Sequence, residues 1–139
     1  MQILVESLGH LLGEGAAPTL RRLGEDPDLP HLCLPIAGLQ YYDYDQTDDM
    51  IGQLRPKSGD RIQMVRQPDN PHDRNAVELR WHNGQFQLGH LPRRAAGRIA
   101  PLIDAGQAIR AYALNSGTGQ AWSVNVVLVS ACLATAVHP

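Results

Sequence analysis

Residues 77–89, VELRWHNGQFQLG, decide the fold. Val77, Leu79 and Trp81 alternate with Glu78 and Arg80, the period of a strand with one apolar face. His82-Asn83-Gly84 then marks a hairpin, because Asn-Gly readily supplies two positive φ values. Phe86 and Leu88 resume the alternation on a returning strand. An antiparallel pair is therefore expected here, with Val77, Leu79, Trp81, Phe86 and Leu88 inward.

Upstream, RIQMVRQ (61–67) alternates Ile62 and Met64 against Arg61, Gln63 and Val65, a partly exposed strand. IGQLRPKSGD (51–60) reads as a turn. LCLPIAGLQ (32–40) is a strand candidate interrupted by Pro35 and Gly38, which suits an edge or a bulge. YYDYDQTDD (41–49) follows as a strand running out into a loop. PTLRRLG (18–24) predicts one or two helical turns stopped by Gly24. VESLGHLL (5–12) fits a short helix or a strand.

Downstream, LPRRAAGRIAPLIDAGQ (91–107) is the clearest helix, with Pro92 in its first turn, Gly106 as C-cap and Ala95, Ile99, Leu102 and Ile103 on one stripe. Pro101 either bends it or divides it into two short turns. AIRAYAL (108–114) and QAWSVNVVLVS (120–130) are strands joined by NSGTG. The end, ATAVHP, is expected to fray or to cross the barrel rim. Six short strands with turn chemistry between them predict a mainly β domain, a small six-stranded OB/SH3-like antiparallel barrel with one or two helices. The expected division is an N-terminal extension or linker over 1–30 and the barrel over 31–139.

Composition narrows the function classes. The 139-residue chain is 43% hydrophobic and 19% charged, enough for one domain with a core. It has no run of 18 apolar residues, so no membrane partner is expected. The start, MQILVESLGHLLGEG, lacks a basic n-region. Cys33 and Cys132 sit in apolar surroundings and read as free thiols of a cytoplasmic protein. Net charge is −2, but it is uneven: nine acids against two arginines over 1–51, ten Lys/Arg against five acids over 52–110, and none of either over 111–139. That argues against bulk nucleic-acid binding and leaves room for a local anionic partner in the middle segment. An ordinary solvated face of mixed sign is the alternative. No GxxxxGK[ST], HExxH, CxxC or GxSxG motif occurs. A His72/Asp73/His90 metal trio would need ligands converging at roughly 2.0–2.2 Å; no metal and no cofactor is expected.

Two segments carry a resemblance. Asp69-Asn70-Pro71-His72-Asp73-Arg74-Asn75-Ala76-Val77, followed across the hairpin by Leu88-Gly89-His90-Leu91-Pro92-Arg93, resembles the HIRAN domain. The likeness extends to Gly38-Leu39-Gln40-Tyr41-Tyr42 and to Gly59–Arg66, and covers roughly residues 32–130. HIRAN domains occur at the N-terminus of certain SWI/SNF-type DNA translocases of replication-fork repair and as small stand-alone bacterial proteins, the form suspected here. The resemblance implies a six-stranded barrel related to the OB fold, and binding of single-stranded DNA at a free 3′ end. Carried over residue by residue, it nominates Tyr41 as the stacking aromatic, Asn70, His72 and Asp73 as the end-reading loop, and His90 and Arg93 as phosphate or sugar contacts.

Each role has a physical basis and a plainer rival. Tyrosine stacks on any base, worth roughly 1–3 kcal/mol, yet Tyr42 or Tyr44 can be the exposed ring instead. Asp73 accepts from a sugar hydroxyl and repels a terminal phosphate. Arg93 lies in the first helical turn, where amides favour an anion. Asn70 also suits a turn cap, Asn75 a structural role and His90 a hydrogen-bonded core edge. His72 stands where end-binding members often carry tyrosine, and Gln40 where they carry arginine. No ATPase motif accompanies the domain, so a helicase or nuclease partner is a further expectation. The competing readings are a protein-interaction scaffold that has lost DNA binding, and a metal-dependent hydrolase built on His72, Asp73 and His90.

Overall fold

The computed structural model describes residues 16–134; the expectations for 5–12 and for most of ATAVHP lie outside them. Helix α1 runs over 16–22. Eight strands follow: β1 (His31–Pro35), β2 (Thr47–Asp48), β3 (Gly52–Gln53), β4 (Arg61–Arg66), β5 (Val77–Trp81), β6 (Phe86–His90), β7 (Arg110–Ala113) and β8 (Asn125–Val129), with α2 (Arg93–Asp104) between β6 and β7. Six strands form one antiparallel sheet in the order β1-β8-β7-β4-β5-β6, and β2 and β3 make a separate small hairpin.

The expected closed barrel is not formed. The sheet is an open, curled half-barrel whose edge strands β1 and β6 share no ladder. Pro35 ends β1, Gly38 adopts a left-handed φ of 82°, and the chain leaves into a 3-10 turn at Leu39–Tyr41. Ala37 forms an isolated bridge across the seam, donating to the His90 carbonyl at 2.9 Å and accepting from the His90 amide at 3.0 Å. Gly89 makes this approach possible, since a Cβ there would lie 2.3 Å from the Ala37 carbonyl oxygen. One step earlier Leu79 faces Gly89 while Arg80 faces Gln87, leaving Leu88 as the extra residue of a bulge. The bulge bends β6 and re-aims its end.

The alternation of the hairpin holds: Val77, Leu79, Trp81, Phe86 and Leu88 all enter the main core. The connection is longer than Asn-Gly suggests, four residues from His82 to Gln85, with positive φ at His82, Asn83 and Gly84. Helix α2 covers the core with Ala95, Ala96, Ile99 and Ala100, and Leu102 and Ile103 pack at its margin. It runs unbroken through Pro101, whose missing amide falls opposite the carbonyl of exposed Gly97. Gly106 then ends it with a Schellman pair, Gly106 to Ile103 and Gln107 to Leu102. Residues 41–44 are a turn, not the expected strand, so strict alternation does not govern the tyrosines.

Strand β8 is buried on both faces, which explains its continuous VVLV. Val126 and Leu128 face the main core; Val127 and Val129 pack with Cys33 beneath Ala16 and Leu20 of α1. Fully burying a leucine such as Leu20 contributes about 2 kcal/mol. Both cysteines are free thiols, and burial pushes Cys33 up to about 11. Among the described residues no helix is long and apolar enough to cross a membrane.

Candidate functional site

The polar run after β4 is a tightly self-capped loop. Asn70 Oδ1 accepts from the amides of His72 (2.9 Å) and Asp73 (3.1 Å), the Asx-turn geometry its residue type favours. Asp73 Oδ1 accepts from the Asn75 amide at 2.9 Å. Arg66 holds the loop from beneath: its guanidinium donates to the carbonyls of Ala76 (2.8 Å) and Arg74 (3.1 Å) and grips both oxygens of Asp104 on α2. That grip holds the Asp104 carboxyl below its ordinary range.

Opposite the loop stands the end of β6. His90 Nε2 lies 2.7 Å from Gln67 Oε1, and His90 Nδ1 lies 3.4 Å from the Tyr42 hydroxyl, with the two rings 5.6 Å apart. Burial pushes the His90 imidazole below its ordinary 6.5, and the Glu78 carboxylate acts the other way. Between loop and strand lies a groove of about 280 Å³ lined by Ala37, Tyr42, Asn70, His72, Asp73, Ala76, His90, Leu91 and Arg93. A second depression of about 390 Å³ runs along the loop over residues 70–75 and shares Asn70, His72, Asp73 and Arg93 with the groove.

Five of the six nominated residues therefore converge: Asn70, His72, Asp73, His90 and Arg93. Tyr41 does not line the groove, although its ring is 77% exposed on the neighbouring 3-10 turn. Tyr42 takes a place in the wall, and Tyr44 is buried. The Arg93 side chain has no hydrogen-bond or ion-pair partner among the described residues. Three acids of the 41–49 stretch are engaged elsewhere. Asp43 accepts from the Gln87 amide, Asp45 pairs with Arg55, and Asp48 caps the β2–β3 turn. None of them lines either depression.

The His72/Asp73/His90 trio is not assembled as a metal site. Among the described residues no three His, Cys, Asp or Glu side chains form a metal-ligating group, and both ring nitrogens of His90 face Gln67 and Tyr42. Sequence reasoning missed Gln67 and Arg66, whose polarity at a strand end looks like ordinary surface; nothing in the pattern marks them.

A curled β sheet with an open, mixed-polarity groove at its seam defines a binding module. Residues 31–130 match the HIRAN domain, and the chain belongs to the HIRAN domain family. Helicase-like transcription factor of Homo sapiens is 32% identical over 69 residues, half of this chain and 6% of that protein. The Mus musculus counterpart is 30% identical over a stretch of the same length. The chain thus spans only a small part of these relatives. The crystal structure of the HIRAN domain of human HLTF superposes with a TM-score of 0.57 at 25% identity, covering 70% of this chain and 72% of that one. The NMR structure of the HLTF HIRAN domain in its DNA-bound conformation gives 0.52 at 25% identity, covering 71% and 72%. A Lactobacillus plantarum protein shares the fold at 20% identity, with a TM-score of 0.53 and coverage of 71% and 95%.

Proposed function

We propose that this domain is a non-catalytic module that binds single-stranded DNA and holds a 3′-hydroxyl end in the groove between the Asn70–Asp73 loop and the Tyr42–His90 wall. The observation that carries the reading is the convergence of Asn70, His72, Asp73, His90 and Arg93 on one open groove. The DNA-bound conformation of a structurally similar HIRAN domain supports it. Asn70 builds the loop. The Asp73 oxygen Oδ2, which has no hydrogen-bond partner among the described residues, accepts from a sugar hydroxyl and repels a terminal phosphate. Arg93 takes a backbone phosphate, which positions the strand without reading its sequence. His72 presents a smaller stacking platform than tyrosine, and exposed Tyr41 offers a second ring where the strand leaves the groove. The cellular setting we propose is DNA repair or replication-fork processing beside a helicase or nuclease partner.

The test is binding of labelled oligonucleotides ending in 3′-hydroxyl or 3′-phosphate, at two salt concentrations. Tighter binding of the hydroxyl end, weakening with salt, is expected. Equal affinity for both ends would remove the role of Asp73, and salt-independent binding would remove the phosphate contact.

A further inference from the structure

The two walls of the groove are joined by one side chain. Gln67 lies between β4 and the loop. Its Oε1 is 3.2 Å from Asn70 Nδ2 on one side and 2.7 Å from His90 Nε2 on the other. Its Nε2 donates to Glu78 Oε2 at 2.7 Å. Glu78 is a buried carboxylate, 5% exposed, that also receives Arg80 and, at 2.9 Å, Gln87 Nε2.

The polarity of this chain allows one assignment. A carboxylate only accepts, so the Gln67 nitrogen must face Glu78. The Asn70 oxygen is occupied by the amides of His72 and Asp73, so its nitrogen faces Gln67. The Gln67 oxygen is then an acceptor on both sides, and the His90 nitrogen opposite it carries a proton. In the neutral ring this makes Nδ1 the acceptor, turned toward the Tyr42 hydroxyl.

We propose that Gln67 is the positioning residue of this groove: through Asn70 it sets the His72–Asp73 turn, and through His90 it fixes the Nε2–H tautomer with Nδ1 facing Tyr42. In the neutral ring that burial favours, the wall presents the Tyr42 phenol held by Nδ1, not a cation. It suits a hydroxyl-bearing sugar and leaves phosphate to Arg93. The inference rests on the strand-end reading for its ligand, whereas the positioning is a property of the free protein.

Two variants of the full chain test it. In ligand-free protein, nitrogen-detected NMR of the histidine rings is expected to show Nε2–H at His90. Gln67→Leu should mix the tautomers, shift the His72 and Asp73 amide resonances, and weaken binding of a 3′-hydroxyl oligonucleotide about tenfold. The double variant Gln67→Glu with Glu78→Gln keeps one carboxylate and the same donor-to-acceptor polarity while moving the charge beside His90 Nε2, so it should keep the Nε2–H tautomer and raise the His90 titration midpoint. It also decides the matter if the leucine variant does not fold. A Gln67→Leu protein with wild-type tautomer and amide shifts overturns the proposal, as does a double variant with an altered tautomer or an unmoved His90 midpoint. The expected NMR changes in a protein that binds no oligonucleotide support the positioning and remove the strand-end reading instead.

Discussion

Glu25 and Gln67 are both side chains on which distant parts of the chain meet. At Glu25, Arg110 donates to both carboxylate oxygens (2.5 and 2.9 Å) and Tyr112 donates to one of them at 2.7 Å. The apolar contact of Ala16 and Leu20 with β1 and β8 lies close by. That junction uses its polar groups internally and serves the fold. At Gln67 the inner groups are equally engaged, but the margin is not: Arg93 is unpaired, the His72 ring is exposed, and one Asp73 oxygen is free. A rigid polar junction with an unsatisfied margin is what a ligand-binding edge requires, because the ligand meets groups already held in place. The difference separates residues that hold the domain together from residues that have something left to offer.

The hardest strain on this contrast is Gly89→Ala. Its Cβ would strike the Ala37 carbonyl, so the seam should open at a cost of about 3 kcal/mol in urea unfolding. Gly84→Ala is the control: φ is 85° but space is open, and about 1 kcal/mol is expected. Equal losses would show that the seam is not a special contact. Next comes Arg93→Ala, which should weaken strand binding about tenfold and lower the salt slope by about 1 while leaving the melting temperature unchanged. A fall in melting temperature would move Arg93 to the structural side.

Glu25→Gln should do the reverse, losing about 1 kcal/mol of stability, since partial exposure discounts the charge-assisted bonds, with strand affinity intact. The Arg110 guanidinium holds the Glu25 carboxyl below its ordinary 4.5. Its contribution is therefore complete above that value and disappears as pH falls through the folded-state value, so the variant's acid limb should be flatter. The smallest effect belongs to His90. Burial lowers its pKa, so its neutral form stabilises fully above 6.5 and less as pH falls below that. A shallow loss of stability in mild acid, absent in His90→Gln, checks it by thermal melts.

The sequence made β4, β5, β6 and α2 legible because each has a clear period and a turn or cap beside it. The open seam was not legible, because closure depends on where Pro35, Gly38 and Gly89 send the backbone, not on which residues are apolar. The tyrosine run 41–44 is a turn where a strand is expected for a similar reason: Gly38 commits the chain to a left-handed turn before the aromatic run begins. The loop motif led directly to Asn70, His72 and Asp73. Gln67 escaped notice because its importance lies in two contacts, with Asn70 and His90, that exist only after β5 and β6 have folded back.

The pairing of β1 with β8 has a consequence for the order of folding. His31 sits opposite Val129, so the sheet joins opposite ends of the described domain. By contrast β4, β5 and β6 are consecutive and pair as a meander. Loop-closure entropy and contact order favour the meander as the early event and β1 on β8 as the late one. The polar loop belongs to the early half. A chain caught between the two events displays that loop before Ala37 and Tyr42 have arrived to complete the opposite wall.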